Sequence, residues 1–170
     1  MDVGGARHRD GEGAKKGDLT GRNPTDRGKR GVKRHILTDA HGVPLAAIIT
    51  GANVFDGKML EATLDAAVLR GPRGPRRPQN LCLDKASYDS RATRRALRRR
   101  HIRGHVRRWC EPPLEGAFRG KARRWVVERT NSWHNRFRAL LVRWERIGSH
   151  YLGLLHLACA IIAMRTAAGY

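Results

Sequence analysis

Apolar residues return every three or four positions from Trp125 or Val126 through Thr130, Trp133, Phe137, Leu140, Trp144 and Ile147. That period predicts one long α-helix with a single buried face. Arg124, Glu128, Asn131 and Asn135 fall at i, i+4, i+7 and i+11, so they share a second face, and it is polar. The one acid among these bases has two readings. Glu128 is either a metal ligand facing a phosphodiester or the acidic half of a surface ion pair with Arg124.

A one-faced helix needs another layer to bury it, and the preceding chain offers strands. Lys33 to Thr38 and Val43 to Thr50 are strand-like runs flanking the turn Asp39-Ala40-His41-Gly42, which together predict a β-hairpin closed by Gly51-Ala52-Asn53. Asp56 is suited to cap an amphipathic helix through Met59, Leu60, Leu64, Ala67 and Val68. Gly71 to Pro78 reads as a stiff basic connector without regular structure. Asn80 to Asp84 is a short apolar strand running into an acid, Ser90 caps a basic helix to about Arg100, and Ile102 to Val106 suits an edge strand. Trp109 to Gly120 reads as loop, and Gly148-Ser149 breaks the long helical pattern. Tyr151 to Met164 is apolar but shorter than the about 20 residues of a membrane span, so it reads as a buried C-terminal helix. Strands followed by helices predict an α/β layered domain, with residues 1–31 as a flexible basic arm and 32–170 as the folded unit.

Charge narrows the partners. The 170 residues carry 35 Lys+Arg against 15 Asp+Glu, a net +20, which repels itself unless an anionic partner supplies counter-charge. Arginine predominates, as suits bidentate phosphate contacts, so DNA is the expected partner. No amphipathic Lys/Arg helix with a lipid face competes for a membrane. Nine arginines and no acid lie between Arg91 and Arg108. Cys82, Cys110 and Cys159 match neither a disulfide framework nor a zinc pattern and suit a reducing cytoplasm. His101 and His105 read as surface histidines.

The acids that could carry chemistry are few. Asp84 ends a strand, where a carboxylate commonly faces a cleft; Glu128 lies near a helix start, and Asp2 opens the chain. Phosphodiester cleavage by two Mg²⁺ ions about 3.5–4 Å apart needs hard carboxylate oxygens on separate rigid elements. The plain alternatives are a turn cap for Asp84, a helix-dipole partner for Glu128 and a tail residue for Asp2.

Several segments, in consistent order, resemble the Asp-Asp-Glu transposases of bacterial insertion sequences, of the insertion-sequence-five type within the insertion-sequence-four-like superfamily. They are Leu19 to Gly31, Lys33-Arg34-His35, Val43-Pro44-Leu45 to Asn53, Leu81 to Lys85, Arg124 to Thr130, Arg136-Phe137, Leu141 to Arg146 and Leu154 to Ala160. The resemblance implies a ribonuclease-H-like mixed sheet packed with helices. It implies Mg²⁺ or Mn²⁺ held by Asp2, Asp84 and Glu128, with Arg124 as the accompanying base. Arg27, Lys29, Arg30, Lys33, Arg94, Arg95, Arg98 and Arg99 would then hold DNA. It also implies an N-terminally truncated member whose arm keeps a remnant of the first catalytic strand. Such a member would act as a homodimer on paired ends or with the product of an upstream reading frame. The alternative is an inactive remnant that only binds DNA non-specifically. This chain departs from the family after Asp84, where Lys85-Ala86-Ser87-Tyr88-Asp89 replaces a Lys-Gly-Tyr-Asp run, and at Phe55, Asn131, His134 and Asn135.

Overall fold

The computed structural model describes residues 2–7, 17–24, 26–67, 70–71, 74–75, 78–84, 88–106 and 124–169. Trp109 to Gly120, Cys110, Lys85 to Ser87 and the side chains of Asp2, Arg124 and Trp125 lie outside what is described.

The expected hairpin forms from β3 (Arg30–Thr38) and β4 (Pro44–Gly51), preceded in the chain by β1 (Asp2–Arg7) and β2 (Gly21–Arg22). Its turn is built as the residue types dictate. Asp39 Oδ1 accepts the His41 and Val43 N–H groups, each at 2.8 Å, and Gly42 takes φ +82°. β1 pairs antiparallel with β3, Asp2 opposite Thr38 and Arg7 opposite Lys33. The stretch that its composition suggested as a flexible arm therefore contributes a central strand over Asp2–Arg7, in the arm where the resemblance implied a remnant strand. Val3-Gly4-Gly5-Ala6 carries no alternating apolar pattern, so its strand state comes from its neighbours and not from its own propensity.

The Gly71–Pro78 connector differs from expectation as well. Arg70–Gly71 (β5) and Gly74–Pro75 (β6) pair antiparallel as a minimal ladder. Beyond it, β7 (Asn80–Leu83) lies parallel to β1, and β8 (Arg103–Val106) lies parallel to β7. The main sheet runs β4-β3-β1-β7-β8, with β3 antiparallel to both its neighbours and β2 beside the start of β3.

Helices cover both faces. On one side Leu37, Leu81 and Leu83 meet Leu60 and Leu64 of α1 (Leu60–Asp65) and Leu97 of α2 (Arg91–Arg99). Ser90 caps α2 as expected, its hydroxyl accepting the Thr93 N–H at 3.1 Å. Asp56 does not cap α1. It sits in the first turn of a short 3-10 helix, Asp56–Met59, and its carboxylate reaches Lys33 at 3.0 Å. On the other side lie α3 (Arg124–His134), α4 (Arg138–Leu141) and α5 (Gly148–Ala167).

The long helix expected over the opening periodicity is thus two helices and a loop. α3 stops at His134, and Arg34 on β3 donates its Nη2 to Asn135 Oδ1 at 2.9 Å where the chain turns. Phe137 is extended before α4 begins. Beyond the break the apolar phase no longer reports burial: Leu140 is 1% exposed, whereas Trp144 is 72% and Ile147 50% exposed. The buried positions of α3 are Val126, Val127, Thr130 and His134, with Trp133 only half-buried.

α5 spans 20 residues, longer than its apolar run suggested, and by length and composition alone could cross a bilayer. Tyr151, Leu155, Ala158 and Ile162, one helical face, are instead buried, the first three in one cluster with Val32, Ile36, Ala47 and Ile49 of the hairpin. Burying a side chain such as Leu155 is worth about 1.5–3 kcal/mol, so this stripe is a principal hold on the helix.

Candidate active site

The register of the central strands sets the site. Asp2 stands opposite Cys82 and Val3 opposite Leu83, and Asp84 follows β7 by one residue. With about 4.8 Å between strands and about 3.3 Å rise per residue, the Cα atoms of positions 2 and 84 come about 8 Å apart. Leu81 and Leu83 point into the cluster under α1 and α2. Alternation therefore turns Cys82, and Asp84 beyond it, toward the face that carries α3. Asp84 is half-buried there.

Two contacts bind α3 to the hairpin turn at the same edge of the sheet. The buried Thr130 hydroxyl donates to the Gly42 carbonyl at 2.6 Å, and Arg129 donates Nη2 to the His41 carbonyl. Arg129 also lies 5.0 Å from the Trp133 ring centre, a cation–π contact that fixes its side chain. This turn follows Thr38, the residue opposite Asp2. Glu128, exposed and two residues before Thr130, thus rides on a helix packed across β1. β1 thus lies beside β7 in the sheet and under α3, the elements that carry or adjoin positions 2, 84 and 128. Arg124 opens α3, one turn before Glu128.

All three groups are carboxylates, the hard-oxygen donor set that Mg²⁺ and Mn²⁺ take. Among the described residues no three His, Cys, Asp or Glu side chains surround one point, and the Asp2 side chain is outside that set. Asp84 and Glu128 carry the oxygen donors such an ion takes.

Sequence reasoning missed Tyr88. Its N–H donates to the Asp84 carbonyl at 3.1 Å. Its ring is 1% exposed, and burial, with the Asp56 and Asp84 charges adding, pushes its phenol well above the ordinary range. The signal in the sequence was only an aromatic four residues after the acid.

The expected DNA contacts divide into two groups. Lys33 is engaged inside the fold, with Nζ on the Val54 carbonyl at 2.8 Å and on Asp56. Beside it His35 is fully buried, bonded to Thr50 Oγ1 at 2.7 Å, and its pKa is lowered by burial despite Asp56 at 3.9 Å. On α2, Arg94 pairs with Asp89 and Arg99 with Glu61 at 2.9 Å. Arg100 joins Asp65 and Glu61, so Asp65 titrates below the usual carboxylate range, held there first by the Arg100 hydrogen bond. Arg95 and Arg98 are exposed and make no ion pair among the described residues. Arg27, Lys29 and Arg30 are exposed on a tight turn closed by Asn23, whose N–H donates to the Lys29 carbonyl at 2.7 Å. His105, next to the edge, bonds Asn80 at 3.0 Å.

The structure is a mixed sheet covered by helices, with one carboxylate at a strand end and another on a helix packed over the sheet. Residues 4–163 match the family described as the transposase DDE domain, and the chain belongs to that family. The match takes in Asp84 and Glu128 and begins two residues after Asp2. The chain is also 46% identical over 151 residues to a putative transposase for insertion sequence element IS402 from Burkholderia cepacia. That alignment covers 86% of this chain and 69% of the relative.

Proposed function

We propose that this chain carries out DNA transposition: metal-dependent cleavage of phosphodiester bonds at the ends of an insertion sequence, followed by strand transfer. What supports this reading is that β7, which ends one residue before Asp84, runs parallel to β1, and that α3, which carries Glu128, packs on β1. The sheet path, with β3 alone reversed between β4 and β1, supports a ribonuclease-H-like fold. Asp2, Asp84 and Glu128 would hold two divalent ions, which when bound activate a water or 3′-hydroxyl and stabilise the leaving oxygen. The chain's own residues position the DNA. Arg95 and Arg98 neutralise one stretch of backbone and Arg27, Lys29 and Arg30 another, while Arg124 places a positive charge on the Glu128 helix. Action at two element ends calls for two copies of the chain.

A supercoiled plasmid carrying the element's ends, incubated with Mg²⁺ or Mn²⁺, tests this. Nicking or linearisation that disappears in Asp84→Asn and Glu128→Gln is the expected result. Cleavage unchanged in both variants refutes the assignment. The net +20 charge favours a second reading, an inactive remnant that binds DNA non-specifically. Salt-sensitive binding without any cleavage is its signature.

A further inference from the structure

The loop between α4 and α5 holds an indole out into solvent on a rigid mount. Trp144 is 72% exposed, and Ile147, three residues on, is 50% exposed. A mobile loop would let such a side chain fold back onto apolar surface; this one is clamped on both sides. Arg143 is 5% exposed and turns inward from the residue before Trp144. Its Nε donates to the Glu145 carbonyl at 2.8 Å, and Nη2 lies 3.3 Å from both the Arg146 carbonyl and Asp18 Oδ1. Its guanidinium stands 5.3 Å from the centre of the Tyr151 ring. The Asp18 N–H adds a further bond to the Arg146 carbonyl at 3.0 Å, and Tyr151 anchors α4 through the Leu140 carbonyl at 3.1 Å. The backbone on either side of Trp144 is thus fixed to α5 and to the segment at Asp18.

Its neighbours in the chain are mostly basic, with the exposed Asp18 the acid brought against the loop. From residue 136 to 150 the exposed charged or titratable groups are Arg136, Arg138, Arg146 and His150. Glu145, the only acid in that stretch, is half-buried, with Oε2 shielded from solvent. A pre-set aromatic face in a stretch whose exposed side-chain charges are all basic matches the platform on which single-stranded nucleic acid stacks a base while its phosphates meet arginine.

We propose that Trp144 is a stacking platform for an unpaired DNA base, with Arg146 and Arg138 neutralising the flanking phosphates. This rests on the reading of the chain as a DNA-processing protein. It adds that the loop at Trp144 distinguishes opened or single-stranded DNA from closed duplex. Because the indole is mostly exposed and the clamp is made by Arg143, removing the ring leaves the fold in place.

The test compares the 170-residue chain with Trp144→Ala and Trp144→Phe on a fluorescein-labelled single-stranded oligonucleotide and on the same sequence as duplex, by anisotropy. The expected result is a loss of single-strand affinity in Trp144→Ala of about 5- to 150-fold, the size of one stacked base. Duplex affinity should be unchanged, and Trp144→Phe should recover most of the loss. Equal single-strand affinity in wild type and Trp144→Ala overturns the platform while leaving DNA binding intact. Wild type that binds neither oligonucleotide at low salt overturns the DNA reading itself, and the platform with it. If Trp144→Ala instead abolishes self-association in sedimentation, without changing single-strand binding, the surface is a protein contact and the proposal fails.

Discussion

Acid should unfold this protein through His134. The imidazole is fully buried at the end of α3, with Nε2 3.3 Å from Cys159 Sγ and the buried guanidinium of Arg34 nearby. Burial first, and then the Arg34 charge, lower its pKa to about 4 from the ordinary 6.5. The imidazole is therefore neutral in both folded and unfolded chains above about pH 6.5, and its contribution to stability is intact there. Below that pH the unfolded chain binds a proton that the folded one refuses, so stability falls until the folded pKa of about 4 is passed. At 1.36 kcal/mol per unit, the full loss is about 3 kcal/mol, of which about 2.5 kcal/mol has gone by pH 4.5. His35, also buried and lowered, acts in the same direction, so the isolating comparison is with His134→Gln. Urea unfolding at pH 7.5 and pH 4.5 measures it. With a slope of about 2 kcal/mol per molar urea, the wild-type midpoint should drop about 1 M more than that of the variant. Equal drops in the two proteins would refute the account of His134.

Other perturbations follow from named contacts. Thr130→Val keeps the shape but leaves the buried Gly42 carbonyl without its 2.6 Å donor, which should cost about 1–3 kcal/mol in urea unfolding; a change below about 0.5 kcal/mol would contradict the anchor. Replacing Arg95 and Arg98 together by Gln should weaken duplex binding and reduce the slope of log affinity against log salt by about 2. The matched change of Arg94 and Arg99, already paired with Asp89 and Glu61, should alter the slope less.

How much of this was legible depended on how local the signal was. The Asp39 turn and the Ser90 cap are written within four residues of chain, and both form as expected. Residue pattern alone hid β1, because Asp2–Arg7 has no apolar alternation and is a strand only through β3 and β7 on either side; the resemblance, which implied a remnant strand in this arm, was the one pointer to it. The helical period overran its element because it counts spacing and not partners. Nothing in the spacing records that Arg34, a hundred residues earlier, meets Asn135 where the helix turns. Charge had the same blind spot: the run of α2 arginines looked uniformly available, while Glu61 and Asp65 from α1 already hold Arg99 and Arg100. For the site, Asp84 was visible as the acid ending an apolar strand. Its nearness to position 2 is a matter of register, and register is a long-range fact.

The central claim is that β1, the end of β7 and α3 present carboxylates to one metal-binding region. Iron-directed backbone cleavage tests it without relying on transposition. Fe²⁺ replaces Mg²⁺, ascorbate and peroxide generate hydroxyl radicals at the bound ion, and the cut sites are mapped by mass spectrometry. The account predicts cuts clustered near residues 2, 84 and 128, suppressed by excess Mg²⁺ and lost in Asp84→Asn. Cuts confined elsewhere, or unchanged when Asp84 is replaced, would contradict it.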